Sequence, residues 1–195
     1  MSMNAWEKFK NIYLVDLLES FSIAMAITVI LYYVFFTPNI VDGSSMEPNF
    51  HDKEFLVTDI TIQWFGGLTK DQFHYDYKRG DIVIFKALNM ELIKRVVGLP
   101  GDKVKISSGH VYINGELFKE DYLSPTTLTD MPFRYQSTFK EDEEVTVPQN
   151  KYFLMGDNRM YSEDSRYSDV GFIDRDNIKG RVILRIYPFT YFAQK

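Results

Sequence analysis

The sequence predicts a mainly β domain of antiparallel strands behind a single N-terminal membrane helix. Three observations carry this. From Ser20 to Phe36 there is no charged residue, and the run is dense in Ile, Val, Leu, Met and Phe. Downstream, the pattern changes to short apolar runs separated by Gly, Pro, Asn and Ser turns. Aromatics make up 16% of the 195 residues, with 13 Tyr and 16 Phe, which suits a β-rich body or a protein that rests on lipid.

The bulk properties narrow the class further. At 45% hydrophobic residues the chain can build a real core, and its length suits one medium domain with a short appendage. A net charge of -5 argues against nucleic acid as a partner, which needs a basic face. There is no Cys, so no disulfide framework exists, and the three His (His51, His74, His110) show no zinc-type spacing. Glycine-rich phosphate loops are absent. No metal or cofactor is implied.

The N-terminal run reaches roughly 25 Å as a helix, the low end for a bilayer core. Extending it back through Leu17 and Leu18 supplies the missing length and brings Glu19 and Asp16 near the headgroups. Tyr32 and Tyr33 lie where amphipathic rings favour the interface. A cleaved signal peptide would be shorter and end in a small-x-small site, whereas Thr37-Pro38-Asn39 follows here. A retained anchor is expected. Lys8 and Lys10 precede the span, which predicts a cytoplasmic N-terminus and a body outside. The organisation is therefore residues 1–37 as stub and anchor, and residues 38–195 as an extracytoplasmic β-rich domain.

The strands follow in order. Phe55-Leu56-Val57 is short and apolar. Asp81-Ile82-Val83-Ile84-Phe85 follows the turn signal Lys78-Arg79-Gly80. Leu92 to Val97 is closed by Gly98-Leu99-Pro100-Gly101-Asp102. Val104 to Ile106 and His110 to Ile113 flank Ser107-Ser108-Gly109, and Asn114-Gly115 reads as a two-residue hairpin turn. Tyr152 to Met155 and Arg181 to Ile186 complete the set. Strands this short favour antiparallel pairing over βαβ units. Two segments read as peripheral. Residues 58–78, with Trp64-Phe65-Gly66-Gly67 inside them, form either a lipid-touching loop or a covering flap. Residues 123–144, ending in Glu141-Asp142-Glu143-Glu144, read as a solvated loop.

Three stretches carry candidate chemistry. In Leu92 to Val97, alternation puts Lys94 and Arg95 on opposite faces between apolar neighbours, so one of them faces the interior unless the strand lies at an edge. A buried ammonium tends to lose its proton, and a lysine lowered to roughly pKa 8 is near 10% neutral at pH 7, enough to act as a base. Gly43-Ser44-Ser45 offers a serine in a small-residue turn whose own N–H can face an oxyanion, and lysine is one known activator of serine. Gly156 to Arg166 reads as a structured polar loop whose Asp and Arg residues can pair and buttress a site. Taken alone, each stretch reads first as a plain loop or edge strand. Two rivals are weaker. Ser137-Thr138-Phe139-Lys140 has S-x-x-K spacing without the K-T-G or S-D-N that should accompany it. A Ser-His-Asp triad with His51, His74 or His110 lacks a G-x-S-x-G elbow.

In order, the anchor, G-S-S-M-E-P, G-D-I-V-I-F, I-K-R-V-V-G-L-P-G-D and G-D-N-R-M-Y-S-E-D-S-R together resemble the type I signal peptidases, in their short single-anchor Gram-positive form. The resemblance runs from the anchor to the last strand and is weakest over 58–78 and 123–144. It implies a coiled, barrel-like antiparallel β-sheet domain with a Ser/Lys dyad that cleaves preproteins after a small-x-small site on the outer side of the membrane. By that resemblance Ser45 is the nucleophile and adds its N–H to the oxyanion hole, and Lys94 is the general base. It further implies that Ser162 orients the lysine, that Asp164 and Arg166 hold the last loop, and that Asp157 opens it. Val41 and Met46 are substrate contacts by proximity to Ser45. Asn49 departs from the Thr usual after the Pro, and Gly43 stands where some members have Ser. The implied partners are preproteins and membrane lipid. Two other readings stand beside the peptidase: a catalytically silent relative that assembles surface fibres, and a cytosolic self-cleaving repressor with the same dyad. The first would typically lose the serine or the lysine. The second would carry DNA-binding helices in place of the anchor.

Overall fold

The computed structural model describes residues 5–65, 76–132, 136–187 and 190–191. The chain divides into two compact units, Met1–Thr37 and Pro38–Lys195. The described residues of the first are one helix, α1 (Ala5–Phe35), followed by the start of a strand at Phe36. Its apolar part, Tyr13–Phe35, is 23 residues long and none of it is buried. At 1.5 Å per residue that is roughly 34 Å, enough for a hydrocarbon core of about 30 Å. Two of its hydroxyls are satisfied within the helix: Ser22 donates to the Leu18 carbonyl at 2.7 Å and Thr28 to the Ala24 carbonyl at 2.9 Å. From Ser20 onward the helix carries no charge, and a long exposed apolar helix whose backbone bonds are internal is what lipid requires.

The second unit is built from antiparallel strands. The larger sheet has eight. Seven run in the order β1 (Phe36–Ile40), β2 (Phe55–Asp59), β11 (Ile178–Tyr187), β3 (Ile82–Ala87), β4 (Met90–Gly98), β9 (Lys151–Met155), β10 (Ile173–Asp174), and β12 (Thr190–Tyr191) adds to β11. The smaller sheet has four, in the order β7 (Glu116–Leu117), β6 (His110–Ile113), β5 (Lys103–Ser107), β8 (Val145–Thr146). The Asn114-Gly115 turn between β6 and β7 has φ of 53° and 84°, the two positive values of a type I′ hairpin. The β3–β4 hairpin turns on Leu88 and Asn89, with φ of 51° and 60°, without a glycine.

Among the described residues the larger sheet does not close into a barrel. Its path ends at β1 and β10, which do not pair. Both ends resist further pairing. Pro38 removes a donor from β1, and β10 runs into a 3₁₀ turn at Arg175–Asn177. The sheet's registers are irregular, with shifts between Val96 and Gly98 and at three places along β11, the kind of irregularity that bends and twists a strand.

Three apolar clusters fill the unit. Along β9 the side chains alternate between two of them: Tyr152 and Leu154 join Val83, Phe85 and Ile178, while Phe153 and Met155 join Val104, Ile106 and Val111 of the small sheet. The third holds Val41, Met46, Phe50 and Leu56 against Ile82, Ile84 and Ile93. β4 has β3 on one side and β9 on the other, and both faces are covered at its centre, so Lys94 and Arg95 are both buried.

The two peripheral segments are partly structural. Thr58 and Asp59 end β2, and Ile62, on the short helix α2 (Thr61–Phe65), packs into the first cluster. The Trp64 to Gly67 reading falls on side chains outside the described residues. In 123–144 the acidic run Glu141 to Glu144 is exposed, as expected, but Phe139 is buried against Phe153, and Thr129 is buried too.

Candidate active site

The chain from Val41 to Glu54 is a loop pinned at its base. The Val41 N–H donates to the Glu54 carbonyl at 2.9 Å, and Lys53 N–H returns to Val41 at 2.8 Å. Gly43, at φ 93°, makes the bend before the serines, and its N–H is held by Asp52 at 2.8 Å. One turn of chain follows, Phe50 N–H donating to the Met46 carbonyl at 3.0 Å. Met46 and Phe50 plug this turn into the third cluster. Ser45, between the bend and that plug, is half-buried.

Lys94 meets it from the sheet. Its Nζ lies 2.7 Å from Ser45 Oγ and donates to the Ile93 carbonyl at 3.0 Å. Lys94 is 2% exposed. Burial lowers its pKa from 10.5 to about 8, with the nearby Asp164 and Glu163 carboxylates pulling the other way. The two side chains are 49 residues apart in sequence and come together because β4 runs beneath the loop.

A third segment, after β9, closes the site from behind. Asn158 donates from its N–H to the Ser45 carbonyl at 3.0 Å and from Nδ2 to the Ser44 carbonyl at 3.1 Å. Asp157 takes a two-pronged pair of bonds from Arg95, Nε to Oδ1 at 2.8 Å and Nη2 to Oδ2 at 2.6 Å. Asp164 takes a similar pair from Arg166, at 2.8 and 2.9 Å, and a bond from the Gly156 N–H at 3.0 Å. Burial pushes the Asp164 carboxyl up, but the Arg166 charge and these hydrogen bonds outweigh it and hold the group below its usual range. Arg166 also donates to the carbonyls of Asp130 and Arg159, which fixes the loop's shape.

The implied support residues thus gather at one place, with one difference. Ser162 Oγ is buried beside Asp164, and no hydrogen bond joins it to Lys94 among the described residues. The two proximity-based substrate contacts separate. Val41 lines a cleft of about 80 Å³ with Ser45, Leu56, Ile84, Ile93 and Lys94. Met46 is fully buried in the core beneath and is not part of that lining.

Several contacts had no sequence signal. Arg159 is buried and bound to Glu120, far along the chain. Tyr122 lays its ring under the Arg95 guanidinium, 4.0 Å from centroid to charge. Asn49 joins the same group through Asp157 and Tyr122. Among the described residues the rival constellations do not assemble. The His51 ring lies 3.9 Å from Glu47 on the exposed side of the loop, and His110 is exposed on β6. His74 lies outside the described residues. Ser137 donates to the Pro132 carbonyl, and Lys140 is exposed.

A serine hydroxyl against a buried lysine at the edge of a β-sheet cleft defines a serine peptidase of the lysine-base kind. The chain belongs to the signal peptidase family, peptidase S26, whose model matches residues 14–187. It is 35% identical to a signal peptidase I of Bacillus amyloliquefaciens, over 90% of this chain and 89% of that one. It is 38% identical to signal peptidase I U of Bacillus subtilis, over 83% of this chain and 81% of that one. A crystal structure of a signal peptidase I from Enterococcus faecalis aligns with 54% of this chain and 96% of that one, at a TM-score of 0.42 and 30% identity.

Proposed function

We propose that this chain is a membrane-anchored signal peptidase in which Ser45 is the nucleophile and Lys94 the general base, cutting preproteins after a small-x-small site. The observation that carries the reading is the 2.7 Å approach of a fully buried lysine to the serine. In its neutral form Lys94 takes the Ser45 proton while Oγ attacks the scissile carbonyl carbon. The carbonyl oxygen becomes an oxyanion, to which the Ser45 N–H donates. The protonated Lys94 then passes its proton to the leaving amine, and the peptide bond breaks to leave an acyl-serine. Water, deprotonated by Lys94, hydrolyses that ester and frees Ser45.

Asp157, Asp164 and Arg166 act by holding the loop whose Asn158 grips the nucleophile's turn. Ser162 is assigned to orienting Lys94 once substrate has drawn the site together. Val41 is assigned to the wall that contacts the small residue before the scissile bond. The cleft suits such a residue, because it has about half of the roughly 150 Å³ that holds a benzene ring. The helix is assigned to a bacterial plasma membrane as a single pass, with the N-terminus cytoplasmic and the β domain outside. That arrangement presents the site to substrates still held in the bilayer, so lipid is a second partner.

Incubating the protein with a preprotein and sequencing the new N-terminus tests the reading. Cleavage after a small-x-small site is expected, and none from Ser45→Ala or Lys94→Arg, since arginine does not give up its proton. Cleavage by either variant at the original rate overturns the dyad.

A further inference from the structure

The turn that carries the nucleophile and the strand that carries the base are tied a second time, away from the dyad. Asn49 ends the turn that begins at Ser45. From its single Nδ2 it donates to Asp157 Oδ2 at 2.8 Å and to the Tyr122 carbonyl at 2.9 Å. Asp157 is 2% exposed and takes its charge partner, Arg95, from β4. Arg95 follows Lys94 in the chain. The result is a closed ring: Ser45, the turn, Asn49, Asp157, Arg95, Lys94, and back to Ser45.

We propose that Asn49 is a positioning residue for the Ser45–Lys94 pair, and that its second amide hydrogen holds the 118–122 segment over Arg95. The proposal rests on the reading of Ser45 and Lys94 as nucleophile and base. Asn158 grips only the front of the turn, at the Ser44 and Ser45 carbonyls. Asn49 grips its end. Arg185 also holds the Asn49 carbonyl, at 2.7 Å, and Met46 and Phe50 plug the turn into the core. The Nδ2 bonds are what set the turn against the Asp157–Arg95 pair, and a misplacement near 1 Å at a reacting group is worth up to about a hundredfold in rate. The two bonds also divide the labour. The one to Asp157 is charge-assisted and sets where the carboxylate, and with it Arg95, sits against the turn. The one to Tyr122 draws in a segment whose ring lies 4.0 Å from the Arg95 charge and whose hydroxyl donates to Glu120, the partner of Arg159. An amide nitrogen has two hydrogens for these two acceptors. A threonine hydroxyl has one.

The test uses the full chain in detergent or vesicles, with a preprotein substrate, and compares Asn49→Leu, Asn49→Thr and Ser45→Ala. Asn49→Leu is expected to lower kcat about 10- to 100-fold with KM unchanged and the fold intact. Asn49→Thr is expected to recover most of kcat, while amide hydrogen exchange in 118–123 speeds up. Unchanged kcat in folded Asn49→Leu, or a loss confined to KM, overturns the positioning role. Unchanged exchange in Asn49→Thr overturns the second half. Where Asn49→Leu does not fold, Asn49→Ala is read in its place, since it removes both donors without adding bulk. Cleavage that survives Ser45→Ala strikes the dyad reading instead, so the two failures are told apart.

Discussion

Gly156 leaves its side-chain position to the nucleophile's backbone: a Cβ there would lie 2.5 Å from the Ser45 carbonyl oxygen and 2.1 Å from Ser162 Oγ. The requirement is one of space. The same carbonyl accepts the Asn158 N–H, so it cannot retreat without losing the grip of the last loop on the turn. Gly156→Ala is therefore expected to cost about 1–3 kcal/mol of stability as an overpacked site. Activity should fall further than stability, on the order of a hundredfold, because the displaced atom is the nucleophile's own carbonyl. A thermal melt and a cleavage rate on the same preparation check this. Near-normal turnover would mean the loop slides freely over the turn.

Lys94 gives the enzyme a definite pH dependence. Its pKa is lowered to about 8, so only the small neutral fraction is competent at pH 7. kcat/KM is expected to climb about tenfold per pH unit below 8 and to level off above it. Steady-state rates over pH 6–10 check the limb. A profile flat through pH 8, or falling there, removes Lys94 as the base.

The same burial makes Lys94 a cost to folding. In the unfolded chain it titrates near 10.5, and in the fold near 8. Below pH 8 both states are protonated and the fold bears the whole penalty, roughly 3 kcal/mol for a shift of that size. Between 8 and 10.5 the unfolded state binds more protons, so stability rises with pH, and above 10.5 the penalty is gone. Lys94→Met removes the charge at similar length. It is expected to be inactive and yet more stable than the parent at pH 7, with the gap closing toward pH 10.5. Denaturant melts at pH 7 and pH 10 measure this. A variant less stable at pH 7 would show that the Ser45 contact outweighs desolvation.

How far the site was legible follows from where each partner lies in the chain. Asp164 and Arg166 are two residues apart, and their pairing could be read from the loop itself. Asp157 was legible as a member of that loop, but its partner Arg95 is 62 residues away, and only β4–β9 pairing brings them together. Alternation along Leu92 to Val97 put Lys94 and Arg95 on opposite sides. It could not show that both are buried, because that depends on distant segments covering each face, the Ser45 turn over Lys94 and Asp157 and Tyr122 over Arg95. Met46 is next to Ser45 and Val41 lies four residues before it, and both are buried in the third cluster, yet only Val41 also lines the cleft. The turn between them decides that, and periodicity does not describe turns. The same limit hid β7, β8 and β10, each too short to carry a period, and the Leu88–Asn89 hairpin, whose positive φ values have no glycine to announce them.

Asp164→Asn separates support of the loop from tuning of the base. Arg166 is nearly fully buried, and its two strongest bonds are to this carboxylate. Neutralising Asp164 leaves an uncompensated guanidinium inside the protein, a change worth about 3–5 kcal/mol. A denaturant melt should show that loss. The surviving activity carries a second signature. Asp164 is the largest of the neighbours that raise the Lys94 pKa, and Arg166 lowers it. Removing the first and unmasking the second act in the same direction, so the alkaline plateau should begin at lower pH than in the parent, even though the maximum rate is smaller. Loss of stability with an unmoved pH limb would mean that Asp164 holds the loop without setting the charge at Lys94.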